Sequence, residues 1–188
     1  MRFPALLLPL LVCCAGTLES AQVSRSIPKS TAPPSKPAAP ANLEGKLTVY
    51  MLAGSELDDF PLDDVEVYLF TLEQSKPLQE LQRRCKQAMR RSGIDPTAVY
   101  EVCRQSQEAA ADLVPKLPRV GFTRTDRRGV YRFSRISPGQ RYQVVGLKYE
   151  AGEPVLMVGV TPRLKPEESC ELNISENDPW VDALPEIR

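Results

Sequence analysis

An antiparallel β-sandwich of seven strands carrying an inserted α-helical hairpin is the fold this sequence predicts. Three observations predict it. Short segments of alternating apolar and polar residues recur between turn signals from residue 45 to residue 175. One long interruption, residues 74–117, switches to helical spacing. The chain ahead of residue 44 holds an export-type leader and a Pro-rich stretch, and neither suits a folded core.

The leader comes first. Arg2 is the only charge before Glu19, and a leucine-dense apolar run from Phe3 to Gly16 lies between them. That run is shorter than the roughly 20 apolar residues a helix needs to cross a bilayer. Residues 1–21 therefore read as a secretory signal, with a retained anchor as the alternative. Leu11-Val12-Cys13-Cys14 also has the outline of a bacterial lipobox, so a lipid on Cys14 is a further alternative and, once the leader is cleaved, the one route to a membrane. Residues 22–43 are dominated by Pro, Ser, Ala and Lys, and read as an extended linker.

Strands follow. Leu47, Val49 and Met51 alternate with Lys46, Thr48 and Tyr50, which predicts a half-buried first strand. Gly54 to Pro61 is polar and acidic and reads as a loop. Val65, Val67 and Leu69 alternate with Glu66, Tyr68 and Phe70 in a second strand, and Val120 to Thr125 makes a third. Asp126-Arg127-Arg128-Gly129 is a turn, because Asp bonds the following backbone and Gly accepts positive φ. Val130 to Arg135 is the fourth strand, and Ser137-Pro138-Gly139 turns the chain again. Tyr142–Tyr149, Val155–Val160 and Cys170–Ile174 complete the seven. Residues 176–188 form a tail holding the single Trp, Trp180, which is expected at the sandwich edge or on a contact surface.

In the insert, Leu78, Leu81, Cys85, Ala88 and Met89 mark one helix, ended by Ser92-Gly93. Asp95-Pro96 starts a second, as an N-cap followed by proline in the first turn, and Val99, Val102, Cys103, Ser106, Ala110 and Leu113 continue it. Cys85 and Cys103 fall at matching distances from the turn, about 11–12 Å at 1.5 Å per residue, and both lie on the apolar stripe. In an oxidising compartment they are expected to form a structural disulfide contributing about 3 kcal/mol. Their separation is far from that of a redox Cys-x-x-Cys pair. Cys170 shares a strand face with Leu172 and Ile174 and is expected to be a buried free thiol.

The strand and turn residues resemble the carboxypeptidase regulatory-like family, which has a transthyretin-like sandwich. The resemblance rests on Gly45 with Val49, then Pro61-Leu62-Asp63-Asp64-Val65-Glu66-Val67-Tyr68-Leu69. It continues in Thr125-Asp126-Arg127-Arg128-Gly129-Val130-Tyr131-Arg132-Phe133, Pro138-Gly139 and Tyr142-Gln143-Val144. It covers residues 45–72 and 118–175, with the helical insert as a departure. It implies an extracytoplasmic module for binding, adhesion or support, and its motif residues Thr125, Asp126, Gly129, Pro138 and Gly139 imply turns rather than catalysis.

Function classes narrow by composition. The chain has 188 residues, 24 basic and 24 acidic side chains, and no histidine. Zero net charge offers no global field for nucleic acid, and the absence of histidine removes the usual general base and the commonest metal ligand. No cofactor and no metal are expected. Asp58, Asp59, Asp63 and Asp64 cluster without the spacing of a calcium loop. Lys46 and Asn173 lie on first and last strands, but each is out of phase with its apolar neighbours, so a Lys–Asn crosslink is not expected. Asn173-Ile174-Ser175 has the form of a glycosylation acceptor, which the bacterial character of the resemblance speaks against. Arg83, Arg84, Arg90 and Arg91 form a basic helix face able to meet an anionic envelope or extracellular partner, protein or polysaccharide. The expectation is a secreted or envelope-associated, non-catalytic binding or support module. A carbohydrate-binding module would need an aromatic platform from Tyr50, Tyr68, Phe70 or Tyr149. A carboxylate-dependent hydrolase would need Asp63 or Glu66 near Asp126.

Overall fold

The computed structural model describes residues 38–53, 56–91, 95–177 and 180–183. The leader with Cys13 and Cys14, most of the linker, and the Ser92-Gly93 turn lie outside them. The chain is mainly β, with two sheets and two helices. In order come β1 (Ala41–Ala53), β2 (Glu56–Pro61), β3 (Glu66–Thr71), α1 (Lys76–Arg90) and α2 (Pro96–Leu113). After a 3-10 turn at Val114–Lys116 follow β4 (Gly121–Arg124), β5 (Val130–Ile136), β6 (Tyr142–Glu150), β7 (Glu153–Val160), β8 (Ser169–Glu171) and β9 (Ile174–Ser175).

Among the described residues nine strands form where seven are expected, for two physical reasons. The acidic segment read as a loop pairs as β2 with the second half of β1, from Thr48↔Pro61 to Ala53↔Glu56. This ribbon is held by backbone bonds with Asp58 and Asp59 exposed, so it carries no burial periodicity to read. The last expected strand divides into β8 and β9 around Leu172 and Asn173. Strand structure also begins at Ala41, inside the expected linker: Ala41 and Leu43 are fully buried and pair with Ile136 and Phe133 of β5. Past Leu47 the first strand leaves the core, so Met51, expected inside, is exposed.

β1 is the spine of the five-stranded sheet. One edge pairs antiparallel with β5 and then β2, meeting at Leu47, whose N–H donates to Gly129 O and whose carbonyl accepts from Leu62 N–H. The other edge runs parallel to β8 and β9. There Asn42 N–H donates to Glu168 O, Leu172 N–H to Glu44 O and Glu176 N–H to Thr48 O, at 2.8–2.9 Å. Two asparagine side chains fill the gaps, since Lys46 N–H donates to Asn173 Oδ1 at 2.9 Å and Tyr50 N–H to Asn177 Oδ1 at 2.6 Å. The Asn173 amide thus serves as a substitute ladder acceptor, and Lys46 and Asn173 are both exposed. Gly45 permits this closeness: a Cβ there would lie 1.8 Å from Leu172 O and 2.6 Å from the Tyr131 hydroxyl.

The second sheet has the order β4-β3-β6-β7. Its strands β3, β6 and β7 carry runs of buried residues on both faces, as strands covered on both sides must. Val67, Leu69, Tyr142, Val144 and Met157 face the first sheet and join Leu43, Leu47, Tyr131, Phe133 and Ile174 in the inter-sheet core. Tyr68, Phe70, Val145, Leu147, Leu156 and Val158 face outward and are buried under α1, α2, Trp180 and Val181. The helical insert is therefore a third layer over the sandwich. Cys170 is free and half-buried against the inter-sheet core, not fully buried as expected, because β8 lies at the margin of its sheet.

Candidate interaction surface

α1 is entered through a braced turn, and α2 starts at a side-chain cap. Thr71 N–H donates to Gln74 Oε1 at 2.9 Å and Gln74 N–H to Thr71 Oγ1 at 3.2 Å, bracing the entry to α1. Asp95 accepts from Thr97 N–H at 3.1 Å and Pro96 follows at the first position of α2. The buried residues of α1 are Leu78, Gln79, Gln82 and Cys85, and those of α2 are Ser106, Ala110 and Ala111. No described side chain from 86 to 105 is buried. The distal half of the pair thus extends about 9–15 Å past its last buried side chains, Cys85 in α1 and Ser106 in α2, at 1.5 Å per residue.

Cys85 and Cys103 are disulfide-bonded with a Cα–Cα distance of 4.6 Å. The bond sits at the base of the projecting half. Beyond it a groove of about 360 Å³ runs between the helices. Arg84, Gln87, Ala88 and Arg91 line one wall at the i, i+3, i+4, i+7 spacing of a single helix face, and Ala98, Val99 and Val102 line the other. Of the four arginines singled out in the sequence, Arg84 and Arg91 line this groove, and Arg90 is exposed in the last turn. Arg83 turns instead to Glu80 at 2.8 Å. A second groove, about 570 Å³, lies between α2 and the β6–β7 turn, with Tyr100, Arg104, Gln107, Glu108, Glu150 and Glu153 around it. Arg104 is held there between Glu101 and Glu108, and the Gln107 amide donates to Pro154 O at 2.8 Å.

The family-type turn residues are elsewhere, and their contacts are internal. The Thr125 hydroxyl donates to Leu62 O at 2.6 Å and accepts from Val65 N–H at 2.9 Å. Asp126 Oδ1 accepts from the N–H groups of Val130 and Arg128, at 3.0 and 2.8 Å, and these bonds hold its carboxyl below the usual aspartate range. Gly129 has φ 72°, and Gly139 N–H, beside half-buried Pro138, donates to Leu164 O at 2.7 Å.

Several residues named for the rival functions have other contacts, while Tyr50 and Tyr149 are exposed. Tyr68 and Phe70 are buried beneath the helices, so neither belongs to an aromatic platform. Tyr68 donates to Glu66, and its phenol is pushed up to about 12 by burial and that carboxylate. Glu66 and Asp64 are engaged by Arg124 at 2.8 Å, while Asp126 is spent on its own turn. Burial, with Glu168 nearby, raises the Cys170 thiol, which disfavours the reactive thiolate. Sequence reasoning missed Gln79, Gln82 and Gln143, three buried amides. Gln82 donates to Trp180 O at 2.5 Å and accepts from Gln143 at 3.2 Å, so the tail is pinned to α1 through an apolar layer. Lys86 adds an ion pair to Asp182 at 3.0 Å.

No family model matches the chain, and no curated protein matches it. Among solved structures it is similar to a double mutant of the shaft pilin SpaA from Lactobacillus rhamnosus GG, at 7% identity and TM-score 0.32, covering 73% of this chain and 50% of that one. A second structure of the same pilin aligns at 9% identity and TM-score 0.30, over 73% of this chain and 48% of that chain. The chain thus spans about half the length of these pilin chains. Similarity at this level assigns neither family nor function.

Proposed function

We propose that this chain is a non-catalytic, extracytoplasmic β-sandwich module for binding or structural support, and that it binds through the projecting end of its helical hairpin. One observation carries the reading. The described residues of 86–105 contribute no buried side chain, yet they are clamped at their base by Cys85–Cys103, and Arg84 and Arg91 line a groove there with Ala88, Ala98, Val99 and Val102. An arm with no fully buried side chain among its described residues, crosslinked at its base, fits recognition. Guanidinium groups beside alanine and valine suit an anionic partner with apolar surface, protein or polysaccharide. The disulfide and the leader pattern both fit an oxidising location. No cofactor enters this role.

Removing residues 74–117 would strip the cover from Tyr68, Phe70 and Val158, so the test uses the tip alone. Disulfide-bonded protein and its Arg84→Glu/Arg91→Glu variant are compared in pull-downs from envelope extract. Loss of captured partners with the variant is expected. Equal recovery of every partner would remove the hairpin as the binding surface.

A further inference from the structure

The zero net charge of this chain conceals two opposed blocks. Residues 47–75 hold seven acidic side chains and no basic one. Residues 81–94 hold five basic side chains and no acidic one. Internal ion pairs consume part of each block. Arg124 takes Asp64 and Glu66, and Lys76 takes Glu73. On the basic side, Glu80 takes Arg83 and Asp182 takes Lys86. Among the described residues this leaves Asp58, Asp59 and Asp63 against Arg84, Arg90 and Arg91, all exposed.

Both remainders sit beside exposed apolar side chains. On the β1–β2 ribbon, Tyr50 lies opposite Asp59 and Met51 opposite Asp58, with Leu52 at 76% exposure and Phe60 at 37%. At the helical tip, Met89 at 56% exposure accompanies Ala88, Val99 and Val102. The ribbon arises from the five-stranded sheet, and the helices cover the outer face of the other sheet. Each surface pairs exposed apolar side chains with charge opposite to that of the other. Exposed apolar patches rimmed by charge mark interaction sites.

We infer that the partner of the helical tip includes a second copy of this chain, whose acidic-apolar β1–β2 ribbon docks on the Arg84–Arg91 groove. The contact is heterologous, head to tail, so it propagates into a ring or an open filament rather than closing as a two-fold dimer. It rests on the reading of the hairpin as a binding surface and names one occupant for it.

Sedimentation velocity of the disulfide-bonded chain over a concentration series, at low and high salt, tests it. Concentration-dependent association that weakens with salt is expected, because these charges lie at the rim. Arg84→Glu/Arg91→Glu and Asp58→Lys/Asp59→Lys should each weaken association by about a hundredfold, since like charges are then juxtaposed. Mixing the two variants should restore it, because the native groove of one meets the native ribbon of the other. Arg84→Gln/Arg91→Gln gives a milder loss and guards against misfolding, as does an unchanged thermal midpoint. A wild-type chain that stays monomeric, variants that associate like wild type, or a mixture that does not recombine overturns the inference. If self-association fails while the Arg84→Glu/Arg91→Glu variant still loses partners in the pull-down, the binding surface stands and only its occupant is wrong.

Discussion

Gly129 carries two demands at once. Its φ of 72° is costly for any residue with a side chain, and a Cβ there would lie 2.6 Å from Leu47 O, where β2 and β5 meet along β1. Gly129→Ala is therefore expected to lower stability by about 2–3 kcal/mol in urea unfolding. Thr125→Val should cost about 2 kcal/mol, because it leaves Val65 N–H and Leu62 O without their shared hydroxyl in a buried site. Asp126 gives a pH signature. Its pKa is depressed by the Val130 and Arg128 amides, so the turn bonds are complete above about pH 4 and fade as pH falls through the folded value. NMR should show both amides shifting together with a midpoint below that of an ordinary aspartate. A midpoint at or above the ordinary value would contradict the turn geometry.

At the scale of elements, the disulfide divides the hairpin. Its proximal half is buried against β3, β6 and β7, and its distal half has no buried side chain among the described residues and is held by the crosslink and the Lys86–Asp182 ion pair. Cys85→Ser/Cys103→Ser is expected to cost about 3 kcal/mol of global stability. Native-state hydrogen exchange should rise most in residues 86–105, well before the strands. Uniform change across α1 would show that the distal half is not separately supported. The hairpin was legible from the 3.6 spacing of Leu78, Leu81 and Cys85 and from Asp95-Pro96. Its placement was not. Gln79 and Gln82 look like surface residues, and hydrogen bonds to Leu72 O and Ser75 Oγ, and to Trp180 O and Gln143, make their burial tolerable. The clue that was available lies in β6 and β7, where Gln143-Val144-Val145 and Val155–Val158 lack alternation because both faces are covered. β2 left no such clue, since a ribbon paired only through its backbone need not alternate.

For the whole molecule, three layers are closed by a short C-terminal segment. Trp180 and Val181 seal the helix–sheet layer, with the Gln82 and Lys86 contacts fastening them. Trp180→Ala should cost about 3–5 kcal/mol by the same unfolding assay, the loss typical of a large aromatic removed from a core. An effect under about 1 kcal/mol would mean the segment is a surface ornament rather than part of the layer. The sheets are tied across their interior margin by Lys148, which pairs with Glu150 and reaches Glu176 at 2.5 Å.

The parallel run of β1 beside β8 and β9 has a mechanical meaning. Tension applied through the chain before Ala41 and after Ser175 drags these strands in opposite directions along one axis. After Trp180 and Val181 peel away, the Glu44–Leu172, Lys46–Asn173, Thr48–Glu176 and Tyr50–Asn177 bonds would bear the load together, in shear, instead of opening one at a time. Resistance to pulling is set by the barrier to unfolding rather than by equilibrium stability. A fold this size can thus hold against a tether while being only marginally stable at rest.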